Sequence, residues 1–465
     1  MSDSMSAMPT LASLSADLQA GRRTSRQLIE ECLFEIDHAS KGARRAFVNV
    51  SRDASLAAAD AIDRQRRNGA RLSPYAGIPI SIKDLFDIAG EVTTAGSRVL
   101  AEAMPALSDA PIVERLKRAG FILIGRANMT EFAYSGLGLN PHFGTPILDD
   151  RDMDSRIPGG SSSGAAVSVR LGMAHGAIGT DTGGSCRIPA AFCDLTGFKP
   201  TASRVPREGC VPLSSTLDSI GPIARSVDCC AVLEAIMAGE PARRLQERAL
   251  FGMRLRVPET VVLDDLDEET ARSFDLTLDH LAKAGAKIVF GTVPEFAEAH
   301  ELNSSGGLAA IESFAWHRRL LETHADLYDP RILEFIQRGE NISAADYIDL
   351  LNARQSLIGR ANARLAGYDA IVMPTVPNCA PRISDLTDPD SYKRHNRLVL
   401  RNSFVVNMID GCAISLPVRC LEPSRFSITV AGITGTDRSV LEVAQAVERQ
   451  LDTQLLPRSV AATAH

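Results

Sequence analysis

Short stretches of alternating apolar and polar residues are followed by helical patterns along much of this chain. The isoleucines of Ile78–Ile82 occupy every second position, which predicts a β-strand, and Pro79 places it at a sheet edge or at a strand start. Pro111–Ala119 has helical spacing, and Phe121–Gly125 is a short buried strand. This alternation predicts an α/β fold with a mixed, largely parallel central sheet covered by helices on both faces.

The N-terminal part of the chain has a helical pattern instead. Leucines recur at one-face spacing over Leu11–Leu18, and Thr24 or Ser25 can cap a second helix, Arg26–Asp37. Ala54–Asn68 is a third predicted helix. We interpret these helices as a lead-in that packs on the main body.

Further elements follow towards the C-terminus. The patterns predict helices at Asn128–Tyr134, Ala165–Met173, Val227–Ala238, Glu268–Ala284, Leu308–Thr323, Ala344–Leu365, Ser403–Ile409 and Ser439–Asp452. They predict strands at Ala177–Gly179, Gly197–Pro200, Leu255–Val257, Lys287–Phe290, Asp369–Pro374, Ala413–Pro417 and Phe426–Val430, and a proline-rich loop over Val205–Pro222.

Composition excludes several classes of protein. The chain has 465 residues, of which 45% are hydrophobic, so a sizeable core can form. Its net charge is −7 without a basic block, which disfavours nucleic acid as a partner. No apolar run is long enough to span a membrane, and Met1–Pro9 does not resemble a signal peptide. Nine cysteines without CxxC spacing favour reduced thiols and a cytoplasmic protein.

The sequence also lacks the common signatures of cofactor chemistry. It contains no Walker loop, and no His, Cys and Glu residues have zinc-site spacing. The nine histidines lie in unrelated contexts, and none marks a catalytic triad. We therefore predict an enzyme that needs neither a metal nor another cofactor.

Candidate chemistry is concentrated in Ser155–Pro200. Two serine–glycine clusters, Gly159–Gly164 and Gly183–Ser185, flank the small-residue segment Ala165–Ala177. Because glycine permits tight turns and close backbone approach, we expect two loops that converge on one site.

The first cluster contains a formal match to the GxSxG nucleophile elbow, with Ser162 as the nucleophile. An elbow requires a strand directly before it, but residues 149–158 are polar and loop-like. Serine–glycine runs produce this match easily, so the elbow interpretation is disfavoured.

A second arrangement uses two serines and a lysine. The turn Thr182–Ser185 can point successive N–H groups into one concavity, with Ser185 as the nucleophile. A lysine can act as the base if burial lowers its pKa, and another serine can relay the proton. Taken alone, Lys83 at the end of its strand is more simply a solvated lysine beside Asp84.

These features together resemble the amidase signature family over Ala76–Ala238, with weaker similarity at Asp369–Pro381 and Asn402–Pro417. The motifs that carry the resemblance are Lys83-Asp84 after a GIP strand, the GGSS loop Gly159–Ser162, the DxGGS sequence that ends at Ser185, and the following Arg187 and Pro189.

The resemblance implies roles for these residues. Lys83 is neutral and takes a proton from Ser161, which follows a cis peptide bond, and Ser161 takes one from Ser185 as it attacks an amide carbonyl. The oxyanion is held by the N–H groups of Thr182, Gly183, Gly184 and Ser185. Water then cleaves the acyl-enzyme by the same route.

The sequence departs from the family pattern at a few positions without removing a catalytic residue. Cys186 replaces an aliphatic residue and either packs in the core or lines the pocket. Arg187 can bind a substrate carboxylate, but we interpret it as structural support through an ion pair. Ser163 and Asp194 stand where glycine is frequent.

Substrate contacts are expected from loops near Phe132–Phe143 and from residues 239–368. Tyr134 and Ser162 are the predicted substrate-binding residues, ahead of Trp316 and Phe314. The predicted organisation is a helical lead-in at 1–70, the amidase signature core at 71–240, a variable specificity region at 241–368, the C-terminal part of the core at 369–457 and a tail at 458–465.

The leading hypothesis is an amidohydrolase that cleaves a small linear carboxamide to an acid and ammonia or an amine. The alternative is a glutaminase-type subunit of an amidotransferase complex, which predicts co-purification with partner subunits. A non-catalytic assembly protein is a third possibility, against which the intact Lys83, Ser161 and Ser185 set argues. The resemblance allows a homodimer, which no motif here indicates. The charge and the hydropathy pattern predict no nucleic-acid or membrane partner.

Overall fold

The computed structural model describes residues 8–148, 155–418 and 426–452. The predicted tail at 458–465 lies outside these ranges. The strands are β1 Phe47–Val50, β2 Pro79–Lys83, β3 Ile122–Ala127, β4 Ala177–Asp181, β5 Thr196–Lys199, β6 Ser219–Ala224, β7 Arg254–Pro258, β8 Lys287–Gly291, β9 Ala370–Pro374, β10 Cys412–Pro417 and β11 Ser427–Gly432.

Helices surround these strands. They are α1 Leu11–Gln19, α2 Ser25–His38, α3 Lys41–Arg44, α4 Arg52–Arg67, α5 Pro111–Arg118, α6 Ser163–Arg170, α7 Arg187–Phe192, α8 Val227–Ala238, α9 Glu268–Lys283, α10 Pro294–Leu302, α11 Gly307–His324, α12 Pro330–Gln337, α13 Ala344–Leu365, α14 Pro389–Met408 and α15 Asp437–Asp452. Within the described ranges, none is both long and apolar enough to cross a membrane.

All these strands lie in one sheet of order β1-β3-β2-β4-β6-β5-β10-β11-β9-β7-β8. The sheet is mixed, as predicted, but parallel pairs do not predominate in it. Among the described strands, four neighbouring pairs are parallel and six are antiparallel. Strand–helix alternation requires parallel neighbours only where a helix crosses over, as between β2 and β3. It left the directions of the predicted strands β5, β10 and β11 open.

Successive residues of the strands enter different parts of the core. In β4, Ala177 packs in a cluster with α2, α6 and α7, whereas Ile178 packs in a cluster with α5, α8 and α15. In β9, Val372 joins the same cluster as Ile178, and Ile371 joins a third one with α10, α13 and α14. This period of two places helices against both faces of the sheet, as the fold prediction requires.

The structure corrects the loop predicted at Val205–Pro222, because a strand begins inside it. Residues Ser219–Ala224 form β6, which lies between β4 and β5 and pairs with both. Proline cannot donate to a strand ladder, so Pro222 argued against an interior strand. The sheet accepts it here opposite Ile178.

The helix predicted at Asn128–Tyr134 is also wrong. The segment contains one short turn at Glu131–Ala133, in which Phe132 and Ala133 have positive φ values of 48° and 61°. The carboxylate of Glu131 accepts hydrogen bonds from Ser97 Oγ at 2.6 Å and from Asp329 N at 2.7 Å. The polar groups of this segment therefore tie loops together, which local spacing does not encode.

Helix α14 is much longer than its prediction, Ser403–Ile409. Asp388 caps its N-terminus by accepting a hydrogen bond from Ser391 N at 2.8 Å, and Pro389 occupies the first turn. The prediction followed only the apolar C-terminal part and missed the polar half. Strand β1 and helices α10 and α12 were not predicted.

Candidate active site

The parallel strands β2 and β4 are neighbours, so both end at the same edge of the sheet. The isoleucines of β2 pack on one face. Its alternate residues turn to the other face, where Ser81 Oγ lies 2.8 Å from Ser168 Oγ of α6. Lys83 is the last residue of β2 and lies on the same face of the sheet as Ser81. Its side chain enters the space between the two serine loops.

Lys83 is fully buried rather than solvated beside Asp84. Its Nζ lies 2.7 Å from both Ser161 Oγ and Thr180 Oγ1. Burial lowers the pKa of this lysine from 10.5 to about 8, although neighbouring groups such as Asp218 and Asp181 oppose the shift. Asp84 instead pairs with Arg126, with Oδ1 2.6 Å from Nε.

The loop before α6 holds Ser161 with close backbone contacts. The Gly160–Ser161 peptide bond is cis. Gly160 N donates to Gly136 O at 2.8 Å, and the carbonyl of Ser161 accepts from Thr130 N at 3.1 Å. A Cβ atom on Gly160 would lie 2.6 Å from Gly138 N, so glycine is required for this approach.

The second loop is built around the buried carboxylate of Asp181 at the end of β4. Its two oxygens accept hydrogen bonds from Gly184 N at 2.7 Å and Cys186 N at 3.1 Å. The Arg187 guanidinium is 2.9 Å from Oδ1 and 3.0 Å from Oδ2. Burial alone would raise the pKa of Asp181, but Arg187 holds it well below its ordinary value. Arg187 is thus the ion-paired support that the sequence analysis expected.

Ser185 lies next to the first loop and faces a cavity. Its carbonyl accepts a hydrogen bond from Ser162 N at 3.3 Å, and the residue is 4% exposed. Thr182, Gly183 and Ser185 line a cavity of about 540 Å³. Within the described part of the chain, the backbone N–H groups of these three residues have no protein acceptor.

The N–H group of Gly184 is not free for the oxyanion-hole role that the sequence predicted for it. Because its N–H group donates to Asp181 Oδ1, it supports the turn and is not available to a ligand. Thr182 is held by a second carboxylate, since its Oγ1 donates to Asp218 Oδ1 at 2.5 Å. Burial raises the pKa of Asp218, and the hydrogen bond from Thr182 is the main effect that opposes this rise.

The two predicted substrate-binding residues lie in different places. Tyr134 lines the cavity and packs on Phe335, with 5.6 Å between ring centroids. Ser162 does not line it: the side chain is fully buried and Oγ donates to Thr180 O at 3.3 Å. The prediction for Ser162 is therefore corrected, because the residue points back towards β4.

Cys186 also lies away from the cavity. Its side chain is fully buried, and Sγ is 3.5 Å from Gly221 O. Burial raises the pKa of this thiol. Cys186 therefore packs in the core, which decides between the two interpretations of the sequence.

Several residues of the site were not found from the sequence. Thr180 is a partner of Lys83. Asn407 of α14 donates through Nδ2 to Asp181 O and Oδ1 at 3.1 and 3.0 Å, and Ser403 Oγ donates to Gly183 O at 2.7 Å. The only sequence signal for a role of α14 in the site was the weak family similarity over Asn402–Pro417, which assigned no residue a role.

This arrangement has the elements of a proton-relay site. A lysine whose pKa is lowered to about 8 can hold or release a proton at Ser161 Oγ. Backbone donors at Thr182 and Gly183 line the same cavity as Ser185. In the described ranges, no group of three or more His, Cys, Asp or Glu side chains is placed to hold a metal ion.

Comparisons with known proteins show the family to which the chain belongs. The profile of the family described as Amidase matches residues 27–441. The chain is 35% identical to 2-amino-5-chloromuconic acid deaminase of Comamonas testosteroni, over 88% of each chain. It is 30% identical to a subunit of the glutamyl-tRNA(Gln) amidotransferase of Chloroflexus aggregans, over 95% of this chain and 96% of that one. A crystal structure of an amidase superposes with a TM-score of 0.86 at 29% identity, covering 95% of this chain and 100% of the other.

Proposed function

This chain belongs to the amidase family and is an amide-hydrolysing enzyme, and from that premise we propose that it cleaves a small linear carboxamide through an acyl-enzyme on Ser185. The proposed products are a carboxylic acid and ammonia or an amine. Lys83 and Ser161 serve as the proton relay.

In the proposed first step, neutral Lys83 accepts a proton from Ser161 Oγ, which accepts one from Ser185 Oγ. The Ser185 oxygen attacks the amide carbon, and the carbonyl oxygen becomes an oxyanion that Thr182, Gly183 and Ser185 N–H groups stabilise. The relay returns the proton to the amide nitrogen. The C–N bond breaks, and the amine leaves.

In the proposed second step, a water molecule takes the place of the amine. The relay removes a proton from this water, its oxygen attacks the ester carbon, and the ester bond to Ser185 breaks. The acid is released, and Ser185 and Lys83 regain their starting protonation states. No cofactor takes part in this scheme.

The observation that carries the proposal is the contact of 2.7 Å between Lys83 Nζ and Ser161 Oγ in a fully buried setting. A lysine without a carboxylate partner at contact distance has its pKa lowered to about 8, so a usable fraction is neutral near physiological pH. The backbone contact between Ser162 and Ser185 supports the relay, because it brings the two loops together.

The test is ammonia release from a panel of small amides by the wild type and by Ser185→Ala. We expect kcat/KM to fall by about 10⁴-fold or more in Ser185→Ala, and comparably in Ser161→Ala, because such residues act as a unit. Ser163→Ala is the matched control in the same loop. Its buried Oγ has no hydrogen-bond partner among the described residues, so its loss should leave activity within about threefold. Retained activity in Ser185→Ala would contradict the proposal.

Two alternatives concern the substrate and the assembly. The relative from Comamonas testosteroni is named a deaminase of an amino-substituted chlorinated acid, so an amino-substituted unsaturated diacid belongs in the substrate panel. The relative from Chloroflexus aggregans is named as part of an amidotransferase. That alternative predicts glutamine hydrolysis only when partner subunits are present, whereas our proposal predicts turnover by the isolated chain.

A further inference from the structure

One face of α14 forms a wall of the cavity beside Ser185. The residues of this face that line the cavity follow helical spacing and are Lys393, Asn396, Arg397, Leu400, Arg401 and Phe404. The three cations among them are spaced four residues apart, and each step corresponds to about 6 Å along the helix. Like charges at this spacing destabilise a helix. This row of cations, Lys393, Arg397 and Arg401, therefore calls for a functional explanation.

The row begins close to the predicted nucleophile. A Cβ atom on Gly183 would lie 3.4 Å from both Leu400 Cδ2 and Phe404 Cδ2. Arg401 belongs to the same turn of α14. Arg397 and Lys393 lie one and two turns further from that point, and Arg338, beyond the end of α12, lines the same cavity.

The charges at the outer end are partly compensated. Lys393 Nζ and Arg338 Nη2 lie 2.7 and 3.1 Å from Glu334 Oε1. Glu334 itself does not line the cavity, and no aspartate or glutamate among the described residues does.

The inner charges lack a carboxylate at contact distance. Arg401 Nε donates to Asn402 Oδ1 at 3.1 Å, but its buried Nη2 has no hydrogen-bond partner in the described part of the chain. Asp264 and Asp265 are the carboxylates whose charges act on Arg401, and neither lines the cavity. Arg397 is exposed, and the described residues give it no ion pair.

We propose that the substrate carries a carboxylate in addition to the amide, and that Arg401, with Arg397 beside it, binds this carboxylate while the amide lies at Ser185. This inference rests on the proposed function, since Ser185 fixes where the amide is. A guanidinium that lines the cavity with no carboxylate at contact distance matches a carboxylate ligand, and the bound anion compensates the charges of Lys393, Arg397 and Arg401. Lys393 and Arg338 then attract the anion towards the cavity.

Apolar side chains also line the cavity, and two of them, Leu400 and Phe404, lie against Gly183. Leu213 and Leu217 line the cavity together with Leu400 and Phe404. The substrate class is therefore a monoamide of a dicarboxylic acid, with an apolar spacer between its two ends.

The first experiment compares kcat/KM for matched substrates, namely glutaramate with valeramide and succinamate with butyramide. We expect the wild type to prefer the anionic amide by about 10- to 100-fold, which is the range of a charge-assisted hydrogen bond. Arg401→Gln should abolish this preference by lowering kcat/KM for the anionic amides, and Arg401→Lys should keep part of the preference. Arg394→Gln is the control, because Arg394 is an exposed cation of α14 outside the cavity.

The second experiment does not need turnover. Calorimetry should detect glutarate binding to Ser185→Ala, weakened about 10-fold or more when Arg401→Gln is added and weakened by salt. Arg397→Gln serves as the second variant if circular dichroism shows that Arg401→Gln is misfolded.

The outcomes separate the two proposals. Glutarate binding that depends on Arg401, without hydrolysis of any amide, would support the carboxylate site at Arg401 and contradict the proposed function. Equal turnover of neutral and anionic amides, unchanged in Arg401→Gln, would leave the function standing and overturn the inference. Neither hydrolysis nor Arg401-dependent binding would overturn both.

Discussion

Among the described residues, Lys83 and Lys199 are the two buried lysines, and their hydrogen-bond partners distinguish them. Lys199 Nζ donates to the carbonyl oxygens of Pro200 and Gly411 at 2.8 and 2.6 Å. Carbonyl oxygens only accept, so they favour an amine that keeps its protons. Lys83 instead contacts the hydroxyls of Ser161 and Thr180, which can donate to a neutral amine. The kind of partner therefore suits Lys83 to proton transfer and Lys199 to a structural role.

The pKa of Lys83 predicts how activity depends on pH. Because the neutral amine is the proposed base, kcat/KM for a neutral amide should rise with pH and level off above an apparent pKa near 8. Valeramide is a suitable substrate because it does not titrate in this range. The measurement is a pH–rate profile from pH 6 to 10, and a flat profile would exclude Lys83 as the group that controls activity.

The same pKa predicts an effect on stability. The folded pKa of Lys83 lies below its unfolded value of 10.5, so the unfolded state binds more protons between about pH 8 and 10.5. The cost of burying the ammonium is fully present below pH 8 and disappears as the pH approaches 10.5. Lys83→Met should therefore abolish activity and raise the free energy of unfolding by about 1–2 kcal/mol at pH 7.

Urea unfolding of the wild type and Lys83→Met at pH 7 and pH 10 measures this effect. The stability gain should shrink at pH 10. A Lys83→Met protein that is less stable than the wild type at pH 7 would mean that the hydrogen bonds to Ser161 and Thr180 outweigh the burial cost.

At the scale of elements, β6 depends on the absence of a side chain at Gly221. A Cβ atom there would lie 1.9 Å from the backbone oxygen of Phe198 in β5. That oxygen belongs to a strand that also pairs with β10, so it cannot move without opening the sheet. Glycine is thus required for a central strand pair.

We predict that Gly221→Ala lowers the free energy of unfolding by about 2–4 kcal/mol. The matched control is Gly359→Ala in α13, where a Cβ atom meets nothing within 4 Å. This control should be stabilising by about 0.5–1 kcal/mol, because alanine is the better helix former. Urea unfolding checks both, and equal effects of the two substitutions would refute the close-approach argument.

At the scale of the whole molecule, the core crosses the predicted segment boundaries. One apolar cluster contains residues from Leu11 to Leu451. Its members come from all four of the predicted segments between residues 1 and 457. The specificity region at 241–368 supplies β7 and β8 to the same sheet. The segment division stays a prediction about function, and the packing favours a single cooperative unit.

Cooperative unfolding provides the test. Trp316, the single tryptophan, lies in α11 of the 241–368 region, and its ring is 6.0 Å from that of Phe132 in the 71–240 region. We expect urea transitions followed by tryptophan fluorescence and by far-ultraviolet circular dichroism to coincide. Two separate midpoints would indicate that the specificity region unfolds independently.

The sequence alone determined the features that are encoded locally. The residue pattern predicted α8 and α13 over Val227–Ala238 and Ala344–Leu365, which are the observed bounds. Contiguous motifs identified the family and the loops that contain Ser161 and Ser185. These features depend on neighbouring residues in the chain, whose spacing the sequence displays directly.

Only the tertiary structure decided which groups meet across long separations. It buried Lys83 between Ser161 and Thr180, turned Ser162 away from the cavity and occupied the Gly184 N–H group with Asp181. It also placed the cations of α14 beside a loop more than 200 residues earlier in the chain. The physical reason is that burial, pKa and charge compensation depend on the partners in space, which residue spacing along the chain does not specify.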